Sequence, residues 1–145
     1  LQDPVWEKTI ADSLYQPINN IHNYSQSMAL TEDRGTIAIS TKRTYTSKWS
    51  SNTDIYIIKT NSEGEKIWER SLGSSGNDYG VSVITTREKN YLITGEIQTP
   101  NDGAVSYIAC LTENGDLVWE KQIGRYGSDT ITSVKQTSDE GFILT

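Results

Sequence analysis

Short apolar runs rich in Ile, Val, Tyr and Thr alternate with short polar segments along the whole chain. Such runs favour β-strands, because β-branched and aromatic side chains pack well on a pleated surface. Four strands recur, which we name a, b, c and d in the order of one sheet. Strand a is predicted at 81–86, strand b at 91–95, strand c at 55–59 and 106–111, and strand d at 66–72 and 117–123. No window of ten residues carries a helical apolar period, so the pattern predicts an all-β fold.

The predicted connections within a unit are short and polar. Glycine lies inside both c–d connections, 62–65 and 113–116, as tight hairpin turns require. The a–b connections at 87–90 and 138–141 have the same length as each other. We therefore expect each set of four strands to form one antiparallel sheet by successive hairpins.

The sequence repeats with a constant offset. Trp68 and Trp119 lie 51 positions apart, the same offset relates Asp78 to Asp129, and a looser copy begins near Trp6. A unit of four strands in about 50 residues is typical of a β-propeller blade, as in WD40-like repeats. The approximate units are 1–53, 54–105 and an incomplete 106–145. We expect 1–145 to form about two and a half blades of one propeller domain, and the chain to be a fragment of a larger ring of at least about four blades.

Residues that recur in equivalent positions are assigned to the framework of the repeat. Trp6, Trp68 and Trp119 are expected to pack between neighbouring blades. Asp78 and Asp129 precede strand a, where a carboxylate caps a turn by accepting hydrogen bonds from nearby amides. Calcium binding is the alternative for these aspartates, but an isolated carboxylate lacks the dense oxygen ligand set that calcium prefers.

The repeat resembles a known family. The run Trp119-Glu120-Lys121 is followed by Gly124, Asp129 and the segment 137–142, Thr-Ser-Asp-Glu-Gly-Phe. This resembles bacterial surface propellers whose blades read Trp-x-Lys-x-x-Gly, then Asp, then Thr-x-Asp-Gly-Gly-Tyr. It is also similar to the tryptophan-docking repeat of quinoprotein-type propellers, in which a glycine precedes the tryptophan by four residues.

The resemblance implies a secreted or outer-membrane-attached protein of Gram-negative bacteria, some of which are exported by the type IX system. We therefore expect an extracellular or outer-surface location, with the periplasm as the alternative. The resemblance implies a fold and no particular activity, because propellers host unrelated functions.

Charge and reactive residues narrow the chemistry further. A net charge of -6 argues against nucleic acid as a partner, since its binding depends on neutralising phosphates. Cys110 is the single cysteine, which excludes an internal disulfide framework, and its apolar neighbours indicate a packed thiol. No stretch approaches the about 20 apolar residues of a transmembrane segment. The glycine-containing segment 74–78 is followed by no predicted helix, which argues against a phosphate-binding loop.

No catalytic residue, metal site or cofactor is assigned from the sequence. No Cys and His spacing suits zinc. The one histidine, His22, has no triad partner nearby in sequence, so it is interpreted as a loop residue or a ligand contact. Paired carboxylates for glycoside hydrolysis remain an open alternative.

The first unit is longer than the second, with 62 positions from Trp6 to Trp68 against 51 from Trp68 to Trp119. The additional residues fall in the d–a and b–c connections. In an antiparallel sheet these two connections emerge at the same end, so both insertions decorate one rim. The candidate ligand-binding residues of this rim are Tyr15, Asn19, His22, Tyr45, Lys48 and Trp49. Trp49, in the polar connector 44–51, either packs against its own blade or contacts a partner.

The leading hypothesis is a non-catalytic extracellular binding or adhesion propeller for a protein or glycan. The second is an enzyme, either a polysaccharide-active hydrolase or lyase or a quinoprotein-like oxidoreductase. The third is a structural scaffold in a secretion or surface assembly. The remaining blades of the same chain, or a second copy, are expected to close the ring. Aromatic residues isolated on a loop face favour binding, whereas several charged side chains converging on the ring axis favour an enzyme.

Overall fold

The computed structural model describes residues 27–47, 50–124 and 130–145, and within these ranges the protein is all β. Its strands are β1 (Ser27–Leu30), β2 (Thr36–Ser47), β3 (Ser50–Thr60), β4 (Lys66–Leu72), β5 (Tyr79–Thr85), β6 (Tyr91–Thr99), β7 (Gly103–Leu111), β8 (Leu117–Ile123), β9 (Val134–Gln136) and β10 (Phe142–Leu144). Two four-stranded antiparallel sheets run in chain order, sheet 1 from β1 to β4 and sheet 2 from β5 to β8. Strands β9 and β10 form a third, two-stranded sheet. No helix long and apolar enough to cross a membrane occurs in the described ranges.

The predicted hairpin order a, b, c, d is confirmed in both four-stranded sheets. Strands β4 and β8 coincide with the two predicted d strands. Strands b and c are longer than predicted, above all in sheet 1, where β2 and β3 pair as far as Ser47 opposite Ser50. The interpretation of 44–51 as a polar connector is therefore wrong for 44–47 and 50–51, because the two strands continue to pair beyond the apolar run. The additional residues of the first b–c connection form this projecting two-stranded ribbon.

The a–b turns repeat the same backbone geometry three times. Each places one non-glycine residue in the left-handed region, with φ of 64° at Arg34, 65° at Lys89 and 65° at Glu140. The second turn is closed by Thr86, whose N–H donates to the Asn90 carbonyl over 2.8 Å. The first and third turns are closed in the same way. The sequence repeat is thus a repeat of local structure.

Sheets 1 and 2 pack face to face around one core. Sheet 1 contributes Ile37, Ile39, Ile55 and Ile57, all fully buried. Sheet 2 contributes a matching buried face: Val83, Tyr91, Ile93, Ile97, Val105, Tyr107, Ala109 and Leu111. The sheets approach closely at Gly80, where an added Cβ would lie 2.6 Å from Cγ1 of Ile39. Burial of each such aliphatic side chain contributes about 1.5–3 kcal/mol, so this face holds the two sheets together.

A second junction of the same kind joins sheet 2 to sheet 3. Its buried cluster is Leu92, Ile108, Cys110 and Val134. Trp119 packs on Phe142 with ring centroids 6.4 Å apart, and Trp68 packs on Tyr91 at 6.0 Å in the first junction. Both pairs are related by the sequence repeat. Both tryptophans are only partly buried, so each closes the outer margin of a junction rather than filling its centre.

Candidate binding rim

The d–a and b–c connections lie together at one end of the sheets. We call this end the connection rim and define it as residues 43–47, 50–53, 73–79 and 98–103. The hydroxyl of Ser74 donates to the Gln98 carbonyl over 2.7 Å, which ties the d–a connection to strand β6. The N–H of Asp78 donates to the Thr53 carbonyl over 2.7 Å, which ties the same connection to sheet 1. The predicted placement of these two kinds of connection at one end is confirmed for the segment between sheets 1 and 2.

Asp78 lies buried beneath the connection rim and binds its backbone. Its side chain is fully buried and its carboxylate accepts hydrogen bonds from the N–H of Ser74, from the Ser74 hydroxyl at 2.9 Å and from the Gln98 N–H at 2.9 Å. Within the described ranges no lysine or arginine pairs with it. These are the contacts of a turn-capping carboxylate, and hydrogen bonds to a charged group contribute about 1.5–3 kcal/mol each. The d–a connection is consequently held in one conformation.

A second carboxylate adds negative charge near the rim. Asp54 lies on β3, partly buried, and burial is the main cause that raises its pKa. The charge of Asp78 raises the pKa of Asp54 further, and Lys42 acts in the opposite direction. The Lys42 ammonium also lies over the Tyr56 ring, 4.8 Å from its centroid. The electrostatic potential beneath the connection rim is therefore negative.

An open groove of about 310 Å³ runs between the d–a connection and the β6–β7 hairpin. It is lined by Ser75, Gly76, Gln98, Thr99 and Pro100. Gly76 has to be small here, because an added Cβ would lie 2.7 Å from the Cβ of Gln98. The lining is uncharged and contains no large aliphatic or aromatic side chain.

The β2–β3 ribbon contacts the d–a connection at Thr53, which bridges to Asn77. Arg43, Thr44 and Tyr45 of strand β2 are exposed, and Tyr45 keeps 45% of its surface accessible. An exposed tyrosine offers a large apolar ring together with a hydroxyl, which suits contact with a partner. Tyr45 therefore lies where a rim contact was predicted, on a strand rather than in a loop.

The opposite end, which carries the a–b and c–d turns, is used for contacts between sheets. We call it the turn rim. The indole Nε1 of Trp68 donates to the Glu113 carbonyl over 3.1 Å, and Arg70 Nε donates to the Gly115 carbonyl over 3.1 Å. Lys89 forms an ion pair with Glu32 at 2.9 Å, and Arg87 donates to carbonyls of the third a–b turn. Many polar groups of the turn rim are thus engaged within the protein.

Some of the rim and framework residues predicted from the sequence lie within the described ranges. Of the candidate rim residues the structure describes Tyr45, whereas the others lie outside the described residues: Tyr15, Asn19, His22, Lys48 and Trp49. Of the framework residues it describes Trp68, Trp119 and Asp78, and Trp6 and Asp129 lie outside it. Cys110 is buried in the second junction, and burial raises the pKa of its thiol, in keeping with a packed side chain.

Sequence reasoning missed the groove and its side chains. Asn77 and Gln98 lie 21 positions apart in the sequence and meet only because Asp78 binds the backbone at both ends. In the sequence, the segment 74–78 is marked by its glycine and by the turn-capping Asp78, and the absence of a predicted helix after it argues against a phosphate-binding loop. Its Ser-Ser-Gly-Asn-Asp composition, typical of turns, was the signal that could have indicated an exposed rim segment.

No family model matches this sequence, and no curated protein is significantly similar to it. In the ranges that the structure describes, no group of three or more His, Cys, Asp or Glu side chains is arranged to hold a metal ion.

Proposed function

We propose that this chain forms successive blades of a β-propeller that acts as an extracellular or cell-surface binding module, with the connection rim as its contact surface for a protein or glycan. Two features of the fold support the propeller. The four-stranded sheets stack face to face in chain order, and the tryptophan contact of the first junction recurs in the second. Small sheets that bury one another's faces in this repeated way are the building units of propellers.

The observation that carries the binding role is the contrast between a fixed backbone and exposed polar side chains at the connection rim. Asp78 fixes the d–a connection, while Ser75, Asn77 and Tyr79 beside it are exposed polar residues. Connections held on a rigid scaffold are the usual place for binding residues. Segments rich in Tyr, Ser, Gly and Asn are also typical of recognition loops, because they combine aromatic contact area with adaptable hydrogen bonding.

A binding screen with the full chain tests this proposal. The probes are an array of immobilised glycans and a displayed peptide library. The test variant Arg43→Ala/Tyr45→Ala removes two exposed side chains from strand β2 of the ribbon. The matched control Val118→Ala/Lys121→Ala removes two exposed side chains from the outer strand β8.

We expect the ribbon variant to bind at least about tenfold more weakly than the unchanged chain to whichever probe the chain selects, because contact residues in an interface centre cost more than about 1 kcal/mol when truncated. The control should bind like the unchanged chain. Equal binding by both variants, or the absence of any bound probe, would overturn the proposed role of the connection rim.

A further inference from the structure

Two exposed residues on the connection rim carry side-chain amides whose oxygens are engaged within the protein. The Oδ1 of Asn77 accepts a hydrogen bond from the Thr53 hydroxyl at 3.2 Å. The Oε1 of Gln98 accepts one from the backbone N–H of Asn77, also at 3.2 Å. Both residues are exposed, and no group in the described part of the chain accepts a hydrogen bond from Asn77 Nδ2 or Gln98 Nε2.

The orientation of the Gln98 amide follows from its partner. A backbone N–H needs an acceptor, so the Gln98 oxygen has to face Asn77 and its NH₂ group has to face away. The backbone of Gln98 is held at the same time, because its N–H donates to Asp78 and its carbonyl accepts from Ser74. The NH₂ group of Gln98 is therefore a donor fixed in advance, at the groove lined by Ser75, Gly76 and Thr99. Asn77 is held next to this groove, because its backbone N–H donates to Gln98 and its amide oxygen accepts from the Thr53 hydroxyl.

The surroundings restrict what these donors can bind. Their ligand has to present oxygen acceptors, because an NH₂ group only donates. An anionic ligand is disfavoured by the carboxylates of Asp78 and Asp54 beneath the rim. A protein partner needs aromatic, aliphatic or arginine anchors at its contact centre, and the groove lining offers only Pro100 as an apolar surface.

We propose that Asn77 and Gln98 form the donor pair of a binding site for a neutral glycan, whose hydroxyl and ring oxygens accept their hydrogen bonds. This assignment rests on the proposed binding role of the connection rim and gives it a ligand class. The carboxylate of Asp78 acts as the positioning group, since it binds both segments that carry the donors.

The donor residues Asn77 and Gln98 both belong to the second sequence unit, 54–105. Asp78 has a sequence counterpart in Asp129, but the residue before it changes from Asn77 to Ser128. The turn residues Thr31 and Thr86 are equivalent and lie 55 positions apart. The same offset makes Arg43 on β2 the counterpart of Gln98 on β6. In the sequence the aspartate is thus kept while the residues beside it change, as expected for a surface adapted to one ligand.

Isosteric substitutions remove the donors without removing the internal hydrogen bonds. Gln98→Glu keeps an oxygen for the N–H of Asn77, and Asn77→Asp keeps an oxygen for the Thr53 hydroxyl. Asn114→Asp is the matched control, because it makes the same chemical change at an exposed turn of the opposite rim. The probes are the neutral polysaccharides laminarin, dextran and mannan, with heparin and polygalacturonate as anionic comparisons, titrated into the full chain by calorimetry.

We expect the unchanged chain and Asn114→Asp to bind at least one neutral polysaccharide and neither anionic one. Gln98→Glu and Asn77→Asp should each weaken that binding about tenfold, the loss of one hydrogen bond to a neutral partner. Near pH 4 the carboxyl of the Gln98→Glu variant becomes partly protonated and regains a donor, so part of its binding should return.

Three outcomes would overturn the assignment. They are preferential binding of an anionic probe, failure to bind any neutral one, and full binding by both donor variants. If Arg43→Ala/Tyr45→Ala loses binding while the donor variants do not, the rim still binds its partner and the groove is not the site. If only displayed peptides bind, the proposed binding function stands and the neutral-glycan assignment falls.

Discussion

At the scale of single residues, Thr94 is an exception among the buried polar side chains of the described ranges, whose polar atoms otherwise have hydrogen-bond partners. It lies on β6, is fully buried, and its hydroxyl has no hydrogen-bond partner among the described residues. A buried hydroxyl without a partner costs about 1–3 kcal/mol. The corresponding position of sheet 1 holds Ile39, which is fully buried and apolar.

Replacing Thr94 with Val is therefore expected to stabilise the protein by about 1 kcal/mol, because Val keeps the shape and removes the unpaired hydroxyl. Urea denaturation measures the change in the free energy of unfolding. Thr41→Val is the control, since the Thr41 hydroxyl accepts a hydrogen bond from the Gly80 N–H at 3.4 Å and its removal should destabilise. A loss of stability in Thr94→Val as large as that of the control would contradict the prediction.

At the scale of elements, an ion pair ties the first a–b turn to strand β3. The Nζ of Lys59, a residue that is 1% exposed, lies 2.6 Å from the Asp33 carboxylate and donates to the Thr60 carbonyl over 2.7 Å. The hydrogen bond from Lys59 is the main cause that lowers the pKa of Asp33 to about 2. Since Asp33 is partly exposed, water screens the pair and its contribution is smaller than for a buried pair.

The pKa of Asp33 gives this contact a defined pH dependence. A carboxyl with a folded pKa of about 2 and an unfolded pKa of about 3.9 stabilises fully above the unfolded value. That stabilisation is lost as the pH falls through about 2. We expect Asp33→Asn to be less stable than the unchanged chain at pH 6 and to differ from it much less near pH 2, as measured by urea denaturation at several pH values. A difference that stays constant over this range would rule out the ion pair as its source.

Elements were predictable where sequence marks both of their ends. Strands β4 and β8 begin after glycine turns and carry the repeated tryptophan, and their predicted bounds match the structure. The ribbon of β2 and β3 was not predicted, because Ser, Thr, Lys and Arg along it resemble a loop by polarity alone. Backbone pairing with the neighbouring strand, which hydropathy does not record, makes these residues part of the sheet.

The candidate site was predictable only in part for a similar reason. The position of the rim was predictable, because the strand directions place the d–a and b–c connections at one end and the first unit is longer in these two connections. The donor pair did not, because the meeting of Asn77 and Gln98 depends on three hydrogen bonds to one buried carboxylate. The two framework tryptophans pack against the junctions between sheets and are only partly buried, and their place between propeller blades stays a prediction.

At the scale of the whole molecule, stability depends on the faces that successive sheets bury against each other. The main cluster takes residues from both four-stranded sheets, so neither sheet has a complete core by itself. Repeat architectures of this kind gain their stability from the interfaces between neighbours as well as from each unit. A change at the junction should therefore affect both sheets together.

Gly80 provides the test of this coupling. In Gly80→Ala the new Cβ would lie 2.6 Å from Cγ1 of Ile39 and 2.8 Å from the Ser40 carbonyl oxygen, so we expect a loss of about 1–3 kcal/mol from overpacking. Gly103→Ala is the control, because its Cβ meets nothing within 4 Å and its φ of +69° costs only local strain of about 1–2 kcal/mol.

A double-mutant cycle separates the contact between sheets from such local strain. Ile39→Ala removes the Cγ1 atom that the new methyl of Gly80→Ala would meet, so the double variant should lose clearly less stability than the sum of the two single losses. Gly103→Ala combined with Ile39→Ala should be additive, because the two sites share no contact. Urea denaturation followed by circular dichroism and by tryptophan fluorescence measures all six proteins. Additive losses in the Gly80 cycle would show that sheets 1 and 2 do not meet at Gly80 and Ile39. That result would contradict the face-to-face packing of the sheets on which the proposed propeller depends.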